Sequence, residues 1–173
     1  MKNCHLVIIA SLFILASCRI NNSNSNGSSK TDSSQIDVLE IKHGLQGILQ
    51  IRDTITIGDP VELKFTVTNL EDTTQQFLKW STPFEPLVSR YLDITDEDGT
   101  QVDYLGPMVK RAMPPSADSY VKLNPHDSLL ANINLLEGYA ITRPSKYTII
   151  YVGEGLSGIT VRNSVTFVYR KAK

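Results

Sequence analysis

At 173 residues, with 41% hydrophobic and 20% charged side chains, the chain has the length of one domain and the composition of an ordinary folded protein. Its formal charge of −1 excludes the strongly basic surface expected of a nucleic-acid-binding protein. Both cysteines, Cys4 and Cys18, fall near the N-terminus, so the remainder has no disulfide, thiol nucleophile or thiolate metal ligand.

The chain opens with Lys2, an apolar run from Leu6 to Ala16, and small residues before Cys18. That run is shorter than the roughly 20 residues a spanning helix needs, and it has the form of a signal-peptide core. Leu15-Ala16-Ser17-Cys18 resembles the lipobox of bacterial lipoproteins. The resemblance implies removal of residues 1–17, acylation of Cys18 and a lasting anchor in the membrane of the bacterial cell envelope. Arg19, rather than Asp, in second place directs such a protein to the outer membrane of a Gram-negative host. An ordinary secretory signal cut near Ala16 or Ser17 is the alternative. Loss of Lys2 would leave 16 basic against 18 acidic residues, a charge of −2.

Residues 18–35 are mostly Asn and Ser and have little to bury, so they read as a disordered tether with a mean reach of about 25 Å. The folded domain is expected over 36–173. Val61, Leu63, Phe65 and Val67 alternate with Glu62, Lys64, Thr66 and Thr68, which predicts a strand with one buried face. Leu129 to Leu135 and Val165 to Arg170 alternate in the same way, and Tyr147–Val152 reads as a central strand apolar on both faces. Weaker strands are expected at Gly47–Arg52, Gln76–Trp80, Tyr91–Thr95 and Gln101–Tyr104, the last two joined by an Asp98-Gly99 hairpin. Gly58-Asp59-Pro60 and Asn124-Pro125-His126-Asp127 read as turns. About seven to nine short strands without a long helical period predict an all-β, immunoglobulin-like antiparallel sandwich. Tyr147, after the Pro144-Ser145-Lys146 turn, is either a tyrosine corner or a plain core residue.

Several motifs lack the context their chemistry requires. Gly153-Glu154-Gly155-Leu156-Ser157-Gly158 matches G-x-G-x-x-G, yet Ile159-Thr160-Val161 reads as β and the chain ends before the expected acidic residue. It is expected to be a hairpin loop without a nucleotide. Aligning Asp96-Glu97-Asp98-Gly99 as a calcium loop puts Ile94 and Leu105 at ligand positions. His43 and His126 belong to no zinc spacing, and no serine lies in a nucleophile elbow. The expectation is a protein without a cofactor or metal that is not an enzyme.

Two segments are not generic. Phe77-Leu78-Lys79-Trp80-Ser81-Thr82-Pro83-Phe84-Glu85 joins the only Trp to a proline turn, an exposed-looking Phe and a carboxylate. Tyr104 to Pro115 is a long, proline-stiffened, apolar and basic loop, the kind that serves as a preorganised contact surface. These blocks, with Ser119–Pro125 and Tyr147–Tyr151, resemble the N-terminal β-sandwich prodomain of bacterial zinc endopeptidases of the deuterolysin and peptidyl-lysine type. The resemblance spans about Gly47 to Tyr169, and the chain has no H-E-x-x-H segment. It implies a prodomain-like module that binds a protein partner, a zinc endopeptidase in the first instance, as inhibitor or folding assistant. The matching residues are Leu78, Lys79, Trp80, Thr82, Pro83, Glu85, Gly106, Pro107, Lys110 and Arg111. Candidate partner-binding residues are thus Trp80, Pro83, Phe84, Glu85, Pro107, Lys110 and Arg111, with Cys18 the lipidation site. Trp80 also fits the core Trp of a sandwich, and Lys110 and Arg111 fit a solvated loop face. A structural or assembly lipoprotein of the envelope is the alternative if the Trp80 and Lys110–Arg111 segments lie far apart. A hydrolase with an unrecognised site is a third reading.

Overall fold

A computed structural model describes residues 44–172; the signal segment, Cys18, the Ser/Asn-rich stretch and His43 lie outside the described residues. Period-two alternation becomes strand where it was expected. β1 (Leu45–Ile51) and β2 (Thr54–Thr56) flank a corner at Arg52 and Asp53, and β3 is Glu62–Asn69. β4 (Gln75–Leu78), β5 (Leu92–Thr95), β6 (Tyr120–Leu123) and β7 (Ser128–Asn134) follow. The last three are β8 (Ser145–Tyr151), β9 (Thr160–Val161) and β10 (Val165–Arg170).

One sheet has the order β7-β3-β1-β9, a second β2-β10-β8-β5, and β4 pairs with β6 in a separate ribbon. The chain changes sheet between β1 and β2, and the strand expected at Gly47–Arg52 corresponds to β1 alone. β3 sends Leu63, Phe65 and Val67 inward, all fully buried, while the second sheet contributes Ile94, Tyr147, Ile149, Tyr151, Phe167 and Tyr169. Phe65 and Tyr151 meet with ring centroids 5.4 Å apart, and Tyr147 stacks on its cross-strand partner Phe167, also at 5.4 Å. Each such buried side chain contributes about 1.5–3 kcal/mol, more than a typical net hydrogen bond, so this inward aromatic row is a principal stabiliser.

Gly47 stands where β9 pairs with β1. A Cβ there would meet the Val161 Cγ2 at 2.6 Å, so any larger residue would force the packed side chains around it to shift. Asn163 completes the junction: its amide accepts from Leu49 N at 3.1 Å and donates to Leu49 O at 2.8 Å, as a strand residue would. The Tyr147 hydroxyl donates to the Arg143 carbonyl at 2.8 Å, four residues upstream, which is the geometry of a tyrosine corner.

The structure departs from the sequence reading in six places. Gln101–Tyr104 forms no strand; it makes isolated bridges, Thr95 with Gln101 and Tyr104 with Tyr139. β4 stops at Leu78, leaving Trp80 in a turn, and Leu135 has left β7 for a 3-10 turn over Leu135–Glu137. β8 is central in its sheet, but Ile150 is 51% exposed because, among the described residues, no layer covers the outer face of that sheet. The Gly153–Gly158 segment is not a hairpin loop. It forms a one-turn helix, α1 (Glu154–Ser157), closed by Gly158 at φ 78°, and it carries the chain from the second sheet to the first. β2, β6 and β9 are strands of two to four residues that had no readable period.

Candidate functional site

After β4 the chain turns through Lys79–Glu85. Ser81 adopts φ 57°, a left-handed conformation uncommon for serine, and its neighbours hold it there. Its N–H donates to Glu85 Oε1 at 3.0 Å, and its carbonyl accepts from the Tyr151 hydroxyl at 3.0 Å. Thr82 Oγ1 donates to the Lys79 carbonyl at 2.6 Å and accepts from Phe84 N at 3.1 Å. Pro83 is buried. Phe84 is not exposed as the sequence suggested. It packs on Phe77 and Phe65 with centroids 5.1 and 6.2 Å away, so it anchors the turn to the core.

The loop from Tyr104 to Pro115 is fastened to this turn and to its exit. Tyr104 OH lies 2.9 Å from the Leu87 carbonyl and 3.0 Å from that of Pro107. Leu105 N donates to Gly138 O at 2.8 Å, and Val109 N to Val88 O at 3.0 Å. Arg111 then closes the clamp. Its Nη2 donates to Glu85 Oε1 at 2.6 Å, and its guanidinium lies 4.9 Å from the Trp80 ring centroid. Trp80 is therefore buried under Arg111, apart from the residues that fill the space between the sheets.

Of the seven candidate residues, the structure brings Trp80, Pro83, Phe84, Glu85 and Arg111 together. The two segments are in direct contact. Trp80 and Glu85 keep only 7% and 8% of their surface, so their visible work is to hold the loop. Pro107 and Lys110 lie exposed on its outer side. Beside them stand residues the motif comparison did not single out: Leu105, Met108 and Met113, each more than 70% exposed, and Val109 at 47%. The loop's apolar composition was the only sequence signal for them; which side chains face outward depends on where the clamps fall.

Below the turn lies a cleft of about 480 Å³, lined by Glu62, Pro83, Phe84, Glu85, Pro86, Leu87, Asn132, Ile133, Asn134 and Glu137. Tyr91, Tyr139 and Tyr151 belong to the hydrophobic core. Burial raises Tyr139 and Tyr151 to about 12, Ser157 partly offsetting the rise at Tyr151, and it raises Tyr91 further. The Tyr91 hydroxyl is buried without a hydrogen-bond partner among the described residues. Elsewhere, Asp96 is occupied by the N–H groups of Asp98 and Thr100 at 3.1 and 2.9 Å and by Arg143, and His126 meets the exposed Asp72 at 2.9 Å. Among the described residues no group of three or more His, Cys, Asp or Glu is placed to hold a metal.

A family model for the immunoglobulin-like domain matches residues 49–156, more than half of the chain. The chain belongs to the immunoglobulin-like domain family. The match spans both the Trp80–Glu85 turn and the Tyr104–Pro115 loop, so the clamp is part of this immunoglobulin-like domain. No curated protein matches the sequence. Among solved structures, the chain is similar to the CARDB domain of a Pyrococcus furiosus protein, determined with di-metal ions. That match has 10% identity and a TM-score of 0.38, covering 74% of this chain and 94% of the other. It is also similar to the Pseudomonas fluorescens alkylpurine DNA glycosylase AlkC bound to DNA containing an abasic site analog. There the identity is 14% and the TM-score 0.36, with 75% of this chain and 31% of the other covered.

Proposed function

We propose that this immunoglobulin-like domain is a membrane-anchored protein-binding module whose contact surface is the loop 105–113. The observation that carries the reading is the clamp. A loop fixed by Tyr104, Val109 and Arg111 nevertheless exposes Leu105, Met108, Val109, Lys110 and Met113. Fixing the backbone in advance lowers the entropy lost on binding, and exposed apolar side chains on a stiff frame supply the buried area. The lipobox-like Leu15–Cys18 supports an anchor at Cys18, and the prodomain resemblance supports a zinc endopeptidase of the deuterolysin type as partner. An assembly role without a protease is disfavoured by the direct contact between the Trp80 and Arg111 segments.

The test uses the full-length chain in detergent and a purified deuterolysin-type endopeptidase, with affinity and inhibition both measured. Leu105→Ser, Met108→Ser and Met113→Ser combined should weaken binding by about tenfold or more while leaving the melting temperature unchanged. Absence of binding and of inhibition by the unaltered protein would sink the protease reading. Cys18→Ala should release the protein from the host membrane fraction.

A further inference from the structure

Among the described residues the outer edge of β7 is open: β3 pairs with it on one side and no described strand lies on the other. Asn69 N donates to Asp127 O at 3.0 Å and Leu135 N to Val61 O at 2.9 Å, which identifies the odd-numbered residues from 127 to 135 as those bonded toward β3. Alternation in an antiparallel ladder then aims the backbone N–H and C=O of Leu130 and Asn132 outward. The other edges of the two sheets are short or covered. β9 has two residues and β2 has three, while the free side of β5 is met by Val102 N, which donates to Ile94 O at 2.8 Å. β7 has seven residues, Ser-Leu-Leu-Ala-Asn-Ile-Asn, with none of the charges, prolines or bulges that ordinarily guard an edge.

At its C-terminal end this edge runs into the cleft. Phe84, Leu87 and Ile133 give the cleft an apolar lining, and Glu62 and Glu137 stand exposed around it. Neither carboxylate forms an ion pair or side-chain hydrogen bond among the described residues, whereas Glu85 is already taken by Arg111. Lys64 lies two residues along β3 from Glu62 and forms no salt bridge with it.

We propose that the β7 edge and this cleft receive an extended peptide segment carrying a lysine or arginine. Its backbone would add a strand beside Leu130 and Asn132. The aliphatic stem of its basic side chain would lie on the apolar lining, with the cation between Glu62 and Glu137. A second copy of this chain fits less well. Two β7 edges paired antiparallel about their centres would bring Asp127 of one copy toward the Glu62 and Glu137 of the other. The inference is independent of the 105–113 loop, and separate residues test it.

The probe is a capped eight-residue peptide of alternating Thr and Val with one central Lys, titrated against the full-length chain. A Glu-for-Lys version and a version N-methylated at alternate amides serve as comparisons. The Lys peptide should bind about tenfold more tightly than the Glu peptide, and Glu62→Gln with Glu137→Gln should erase that difference. N-methylation should abolish binding, and amide signals of Leu130 and Asn132 should shift in the unaltered protein. Asn132→Pro removes only an outward N–H, so it should prevent binding with the β3–β7 ladder kept; Leu130→Lys serves if that variant fails to fold. No binding, equal binding of the Lys and Glu peptides, or full binding of the N-methylated peptide overturns the proposal. A dimer that Asn132→Pro dissociates assigns the edge to a second copy and overturns it equally.

Discussion

Replacing Arg111 by Met removes the clamp at its centre while keeping much of the side-chain volume. The side chain of Glu85 is 6% exposed and that of Arg111 26%, so the carboxylate is buried and the guanidinium reaches water at one side. Deleting one partner of a fully buried ion pair costs about 3–5 kcal/mol. Here the value should be nearer 2 kcal/mol, because the Ser81 N–H remains on Glu85 and water can enter where the guanidinium was. Loss of the contact with Trp80 adds about 1 kcal/mol. With a urea slope of about 1.5–2 kcal/mol/M, a total of about 3 kcal/mol lowers the unfolding midpoint by about 1.5–2 M. Glu85→Gln retains an acceptor oxygen and should cost about 1 kcal/mol, and the double variant should show a coupling of about 1–2 kcal/mol. Trp80 is the only tryptophan, so its fluorescence reads the same event directly. In Arg111→Met its emission should shift to the red and become easier to quench, and trypsin should cut faster after Lys110. An unchanged midpoint, a coupling near zero and an unmoved emission maximum together would refute the clamp.

Asn69 is fully buried where β3 ends, and its amide nitrogen lies 2.9, 3.1 and 2.9 Å from the carbonyls of Thr73, Leu123 and Asn124. Asn69→Ala leaves those acceptors without their donor and should destabilise by about 2–4 kcal/mol in thermal or urea melts; a loss under about 0.5 kcal/mol contradicts this role. In alkali, Tyr139 and Tyr151 ionise near 12 in the folded chain and near 10 when unfolded. The folded state therefore holds protons that the unfolded state releases. Stability should be intact below pH 10 and fall on the order of 4 kcal/mol by pH 12. Tyrosinate absorbance should consequently rise together with loss of far-ultraviolet ellipticity; ionisation of all the tyrosines in a still-folded chain near pH 10 would contradict it.

The interior was largely readable from local pattern. Leu63, Phe65, Val67, Phe167 and Tyr169 sit at alternate positions because a strand turns successive side chains to opposite faces, and that alternation survives in any sandwich the chain could form. The turn signals at Gly58-Asp59-Pro60 and Asn124–Asp127 were equally local. The short strands β2, β6 and β9 were not, since each is held by a partner strand and has too few residues for a period of its own. The outward face of Ile150 was hidden for a similar reason: an apolar residue does not record whether a second layer covers it.

Motif comparison selected Trp80, Glu85 and Arg111 without indicating that they meet. Their contact joins residues 26 positions apart through a left-handed Ser81 and a loop pinned at Leu87 and Val88, geometry that no period or spacing encodes. That closure consumes the charge of Arg111, leaves Lys110 exposed, and turns Leu105, Met108 and Met113 to the surface. Residue type along the chain could establish which side chains prefer burial. Which of them are actually covered is settled by long-range packing, because burial belongs to pairs of segments rather than to either one alone.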